Sequence, residues 1–398
     1  MNNKQKEALE VIKSGSNLFL TGSAGTGKSF TLKAIINYLE IRKIEYGLTA
    51  LTGCAAVLID GQTIHSYLYL GISRDVNAIY TNLLKFKSKL NSLKKLQVLI
   101  IDEISMMDNG LFDVINNLLM MIKNNTKPFG GVQLMLVGDF YQLPPITGDF
   151  CFTSPVWNSL DLKTVILTEI IRQKDDNLLQ KILEEIRNGK PTEETIEILT
   201  NLKNTKFANN QIKPTRLYPI NKNVDKINNY EFNKLLKKNN NEQLVYKAYC
   251  NKSSEKIDNY DVTLTLHAQV MVIRNISIED KLFNGTRGVV VELQEKSVII
   301  MDVNGTNHVI NYYTDRNNNN KKIQTSFMPL KLAYAISIHK SQGASIDFLE
   351  LDLGEDIFIS GQLYTALSRA TNINNIKILD FSKNSFMQNE KIKKFYDL

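Results

Sequence analysis

The stretch SNLFLTGSAGTGKSFTLKAIINYLEIRK, residues 16–43, allows few folds. An apolar run too short for a helix ends in a glycine-rich turn, and a helix-like segment follows at once. GSAGTGKS, residues 22–29, fits G-x-x-x-x-G-K-[ST] in full, in the strand-to-helix context that the pattern needs. Glycines let the backbone wrap a phosphate, and a helix N-terminus aims its N–H groups at it. Gly22, Ser23, Ala24, Gly25, Thr26 and Gly27 are therefore candidate nucleotide-binding residues. Lys28 would reach the β- and γ-phosphates of ATP, and Ser29 would ligate Mg²⁺.

Three more apolar runs, EYGLTALT, LQVLIIDE and VQLMLVGD, read as strands ending in small or acidic residues. Helix-like stretches such as NGLFDVINNLLMMIK lie between them. Strands alternating with helices predict an α/β fold with a parallel sheet covered on both faces. Functional residues should gather at the C-terminal edge of its strands. LIIDEIS then puts Asp102 near the metal and Glu103 where it can orient or deprotonate water. An acidic pair that merely ends a surface strand is the bland alternative, and the phosphate loop upstream disfavours it. LMLVGDFYQLPPI supplies Gln142, long enough to touch a γ-phosphate. Phe140, Tyr141 and Pro144 lie in the same loop, where one could line a nucleic-acid groove; Pro144 is better placed for it than Tyr141, which could equally be core. Trp157 reads as a packing residue.

At 398 residues the chain exceeds one ordinary core, and an α/β pattern resumes after residue 176. The expected domains are 1–175 and 176–398. Residues 65–97 form a basic insertion in the first, with Arg74, Lys85, Lys87, Lys89, Lys94 and Lys95. Residues 262–328 turn β-rich, with glycine turns as in a small barrel. KKNNNE (237–242) and DRNNNNKK (315–322) read as exposed loops. A net charge of +7, from 48 basic and 41 acidic residues, fits a polyanionic partner. Three scattered cysteines and four scattered histidines argue against a zinc site or a disulfide framework. No signal peptide or bilayer-length apolar run is present, so a soluble intracellular protein without a membrane role is expected.

Further segments carry a resemblance. KQKEAL, TALTGCAA, GQTIHS, LTEIIRQ, LEEIRNGK, LFNGTRGVV, SIHKSQGAS and LYTALSRAT accompany the phosphate loop and acidic strand in one order along the chain. That order resembles superfamily-1B DNA helicases of the Pif/RecD-like group. The resemblance implies two RecA-like P-loop NTPase domains with parallel sheets, a small insertion in the first and an SH3-like β-barrel insertion in the second. It makes Gln5 an adenine reader and brings Gly343 close to ATP. Arg172 and Arg369, as forked cations contributed across a domain cleft, would stabilise transition-state charge. The implied DNA-binding residues are Thr52, Gly53, Thr63, His65, Pro144, Asn221, His339, Lys340, Ser341 and Gln342.

The resemblance further implies a monomer moving 5′→3′ on single-stranded DNA and DNA junctions, driven by ATP and Mg²⁺, with replication or repair proteins as partners. An RNA-directed helicase of the same architecture remains open from the residues. A nucleotide-switched DNA-binding scaffold is the third reading, and the acid pair with both arginines argues against it.

Overall fold

The computed structural model describes residues 1–71, 73–207, 212–219, 221–250, 260–274, 276–277, 282, 285–316, 324–353 and 359–397, without the side chains of 221, 222, 315, 316, 383 and 384. The chain divides into two compact units. The first is Met1–Thr192 with Phe358–Ser368 and Lys383–Leu398; the second is Glu193–Ile357 with Arg369–Ser382.

This corrects the expected junction at residues 175 and 176. The helix Asn177–Arg187 buries Leu179, Ile182, Leu183 and Ile186 and packs on the helix Gln362–Leu367 inside the first unit. The C-terminal helix Glu390–Tyr396 also belongs there. Its Phe395 ring lies 4.4 Å from Phe152, 5.1 Å from Phe140, 5.9 Å from Phe19 and 5.8 Å from Trp157, centroid to centroid. A boundary drawn on linear pattern misses such returns, because the aromatic partners are supplied from the far end of the chain.

In the first unit, strands β1 (Leu18–Gly22), β2 (Tyr46–Ala50), β3 (Gln62–Thr63), β4 (Val98–Asp102), β5 (Gln133–Val137) and β6 (Lys163–Leu167) form one sheet in the order β3-β2-β4-β5-β1-β6. Every pairing is parallel. All five residues of β1 are buried, as expected of a strand covered on both faces. The helices Lys28–Ile41 and Asn109–Lys123 follow the predicted runs. Leu32, Ile35 and Leu39 of the former join Leu18, Leu20, Ile100 and Met135 in one core.

The basic insertion is helical, over Val76–Leu83 and Lys87–Lys95. Two of its cations are engaged within the protein. Arg74 makes a two-point ion pair with Asp108, at 2.6 and 2.8 Å. Lys89 is 7% exposed, with its ammonium 3.9 Å from the Tyr67 ring centroid, and burial pushes its pKa down to about 8. The unfolded chain therefore binds more protons between pH 8 and 10.5, and stability rises with pH across that window. Lys89→Met keeps the packing stem without the charge. It should stabilise the fold by about 1–3 kcal/mol near pH 7 and by less toward about pH 10; urea unfolding at both values checks this.

In the second unit, Ala335–Ser337, Thr215–Tyr218, Leu349–Leu353 and Ile376–Phe381 form a parallel sheet in that spatial order. The expected β insertion is a set of antiparallel sheets. The largest runs Asn307–Asn311, Ser297–Asp302, Arg287–Leu293, Gln269–Val272, Leu330–Leu332. It reaches beyond 262–328, because Leu244–Tyr246 pairs with Val262–Leu264 and Tyr246 enters the core beside Leu264 and Val298. A three-residue strand next to NNNE is too short to register as apolar periodicity. Of the two segments read as loops, 237–242 ends the helix Asn221–Lys238 before an exposed turn over 239–242, apart from half-buried Asn239, and 315–322 begins inside the strand Tyr313–Arg316, with 317–322 outside the described residues. Among the described residues no helix is long and apolar enough to cross a membrane.

Candidate nucleotide and nucleic-acid site

The phosphate loop leaves β1 and enters the helix Lys28–Ile41. Gly25 sits at φ +83°, and a Cβ there would stand 2.8 Å from Arg172 Cβ and from Gln173 Oε1, so only glycine fits. Lys28 Nζ donates to the carbonyls of Gly22 (2.7 Å) and Ser23 (3.0 Å) within its own loop. Thr26 Oγ1 donates to Ser23 O at 2.8 Å, and the Ala24 N–H donates to the Tyr364 hydroxyl at 2.8 Å. Ser29 is exposed on the first helical turn. Gln5 is buried beside the loop, with its Nε2 2.9 Å from where a Cβ on Gly27 would lie. Its Oε1 accepts from Asn2 N at 2.9 Å, in a capping box that fixes the side chain.

The acid pair stands at the end of β4, with Asp102 paired in register to Ala50 of β2. Burial, then the neighbouring Glu103 carboxylate, push the Asp102 carboxyl up to about 7, against the Glu103 N–H and Lys28. Glu103 adopts φ 55°, ψ 42°, a left-handed conformation that costs a non-glycine residue of order 1–3 kcal/mol. The turn takes its carboxylate off the line of β4. Nothing in LIIDEIS signals this, because Glu has no local preference for that conformation.

One pairing was not foreseen from the sequence, although both of its segments, LMLVGDFYQLPPI and LEEIRNGK, were singled out. Asp139, fully buried after β5, accepts from Arg187 Nη2 (2.9 Å) and Nε (3.2 Å), from the Tyr364 hydroxyl (3.2 Å) and from Tyr141 N (3.2 Å). The Arg187 guanidinium lies 4.2 Å from the Tyr141 ring centroid, and Tyr141 stacks on Tyr396 at 5.2 Å. Tyr396 also meets Thr21 Oγ1 at 2.8 Å. Burial, then Asp139, hold the Tyr364 phenol well above its ordinary pKa, so it stays a proton donor. LEEIRNGK belongs to the resemblance as a segment, but nothing in it names Asp139 as the partner of Arg187.

Several expected positions are corrected. Arg172 belongs to the same unit as the phosphate loop, as the expected bounds 1–175 already place it, so it is not contributed from the other unit; it lies in a turn. The Ile171 and Arg172 amides donate to Gly25 O, at 2.8 and 3.2 Å, and this strand-end pairing brings it there. Phe140 and Tyr141 are buried in the aromatic cluster and line no groove, whereas Pro144 is half-buried. Gln142 is 4% exposed. Trp157 packs as expected.

Thr52 and Thr63 are helix N-caps, their Oγ1 atoms accepting from Ala55 N and Ser66 N at 3.2 Å. Exposed Gly53 and His65 follow them. In the second unit, SIHKSQGAS follows the strand Ala335–Ser337 as a single turn of helix over His339–Ser341, with Gly343 at φ +80°. Lys340 is exposed and His339 half-buried, but Ser341 and Gln342 are buried and offer no surface to a DNA strand. Ser341 Oγ donates inward to Ile338 O at 2.8 Å, and Ser341 O lies 3.4 Å from Arg369 Nη1. Arg369 is 2% exposed, just past the helix Gln362–Leu367. Asn221 opens the helix Asn221–Lys238; its side chain lies outside the described ones, as do Phe283 and Asn284 of LFNGTRGVV.

Residues 1–210 match the family model of the PIF1-like helicases. The ATP-dependent DNA helicase PIF1 of Xenopus laevis is 34% identical over the whole of this chain, which spans 64% of that relative's length. The ATP-dependent DNA helicase Pif1 of Bdellovibrio bacteriovorus is 33% identical over 99% of this chain and 91% of its own. The crystal structure of a Bacteroides Pif1 helicase in complex with ADP-AlF3 and ssDNA superposes with a TM-score of 0.71 at 26% identity, covering 100% of this chain and 96% of that one. This likeness extends over both units and both parallel sheets, so the two are RecA-like domains. A family match through more than half of the chain, with relatives above 30% identity along its full length, admits one assignment: the chain belongs to the PIF1-like helicase family.

Proposed function

We propose that this chain is an ATP-dependent DNA helicase that moves 5′→3′ along single-stranded DNA as a monomer and couples Mg-ATP hydrolysis to strand separation. The observation that carries the reading is the C-terminal edge of the first sheet. There the phosphate loop after β1 and the Asp102–Glu103 pair after β4 flank the end of β5. The relatives' names and the nucleotide and single strand held by the Bacteroides helicase support it.

In this reading Lys28 exchanges its carbonyl partners for the β- and γ-phosphates. Ser29 and Asp102 are hard oxygen donors, and they suit a Mg²⁺ ion whose other ligands are phosphate and water. When bound, that ion would neutralise charge on the phosphate oxygens. Glu103 positions the attacking water and accepts its proton as the bond between the γ-phosphorus and the bridging oxygen breaks and ADP leaves. Arg172 and Arg369 stabilise the developing charge, Gln142 senses the γ-phosphate, and Gln5 reads adenine. Thr52, Gly53, Thr63, His65 and Pro144 hold DNA from the first unit, with Asn221, His339 and Lys340 from the second. Ser341 and Gln342 support that last turn from inside, and the contact of Arg369 with Ser341 O ties nucleotide chemistry to the grip of Lys340.

The test is unwinding of one duplex carrying a 5′ or a 3′ single-stranded tail, beside ATPase stimulation by DNA and RNA strands of equal sequence. ATP-dependent unwinding of the 5′-tailed duplex and stimulation by DNA are expected. Unwinding only with the 3′ tail would reverse the polarity, and stimulation by RNA alone would replace the substrate.

A further inference from the structure

Arg187 lies near the phosphate loop without belonging to any phosphate-binding pattern. Asp139 is the strongest attractive charge acting on the Lys28 ammonium, and Arg187 acts on it with the opposite sign. A fully buried carboxylate beside a lysine would ordinarily capture it, because the attraction grows as water is excluded. Here it does not. Both Asp139 oxygens are taken, by the two-point Arg187 fork, the Tyr364 hydroxyl and Tyr141 N. Lys28 Nζ rests instead on the Gly22 and Ser23 carbonyls, neutral acceptors that an incoming phosphate can displace. The Tyr364 hydroxyl that donates to Asp139 also accepts from Ala24 N, an anchor that the amide oxygen of an asparagine at position 139 can keep.

We propose that Arg187 is a positioning residue for nucleotide binding: by occupying Asp139, it keeps Lys28 uncommitted and ready for the triphosphate. The Tyr141 and Tyr396 rings hold the guanidinium in place, at 4.2 and 5.7 Å from their centroids. The charge arrangement is therefore built from three segments of the chain: the turn after β5, the end of the helix Asn177–Arg187 and the C-terminal helix. The inference rests on the ATPase reading above, and it concerns affinity for ATP rather than the chemical step.

The test is steady-state ATPase kinetics of the full chain with saturating single-stranded DNA. R187Q should raise KM for ATP by about 10-fold with kcat changed by less than about 3-fold, since uniform binding is what is lost. D139N should leave KM near the wild-type value, because it removes the competitor. The double variant D139N/R187Q should recover KM to within about 3-fold of wild type. A purely structural ion pair predicts the reverse: KM raised in D139N as in R187Q, and no recovery in the double variant. Either that pattern or an unchanged KM in R187Q overturns the proposal. Should R187Q fail to fold, as judged by its thermal melt, D139N alone decides. Wild-type protein without DNA-stimulated ATPase would fail the helicase reading instead, so the two failures are distinct.

Discussion

Glu103→Gln is expected to lower DNA-stimulated ATP turnover by about 10²–10⁴-fold while ATP and single-stranded DNA still bind. The substitution changes almost no volume, and glutamine takes the φ 55° turn at about the same cost as glutamate, so the fold should survive. What is lost, in the proposed reading, is the carboxylate that accepts the proton of the attacking water. The neighbouring Asp102 is not expected to replace it, because in the proposed reading that carboxylate is taken up as a metal ligand. Removing the Glu103 charge also takes away the second-largest cause of the raised Asp102 pKa, so Asp102 should ionise more readily and metal-nucleotide binding should not suffer. Phosphate release with a fluorescent-nucleotide binding titration separates the two effects. Turnover within about 10-fold of wild type would remove Glu103 from the chemistry.

Arg369→Ala is expected to cost about 10³-fold or more in kcat, the scale of losing an arginine that stabilises a phosphoryl-transfer transition state. The guanidinium is buried, so some loss of stability accompanies the change, and Arg369→Lys is the informative companion. Lysine keeps the charge and most of the volume but not the planar fork, so it too should stay well below wild type. Arg369 also holds the 339–344 turn through the carbonyls of Ser341 and Ala344, at 3.4 and 3.5 Å. Stimulation of the residual ATPase by DNA should therefore fall along with kcat. Steady-state ATPase with and without single-stranded DNA, on samples whose melts show folded protein, checks both. A lysine variant with wild-type kcat would mean that charge alone matters at this position.

Much of the first unit was legible along the chain. NLFLTG, EYGLTALT, LQVLIIDE and VQLMLVGD are strands where the apolar runs place them, and NGLFDVINNLLMMIK is a helix over Asn109–Lys123. Strand, turn and helix are decided by residues a few positions apart, through side-chain periodicity and backbone freedom. The phosphate loop and the acid pair are local for the same reason: each is a continuous stretch whose chemistry is carried by its own residue types.

The rest depends on distance. Arg187 meets Asp139 across 48 positions, Tyr364 meets it across 225, and Tyr396 reaches Thr21 across 375. Such partners leave no periodic trace, and an arginine at the end of an amphipathic helix reads alike whether it meets water or a buried carboxylate. Ser341 and Gln342 show the converse: polar in sequence, they are buried because the turn packs on Arg369. Sequence alone determined the sheet, the phosphate loop and the acidic strand end, since these arise from local backbone and side-chain preferences. Only the tertiary structure decided where the units divide, which polar side chains face solvent and which charge neutralises Asp139, because burial and ion pairing are settled by neighbours that folding brings together.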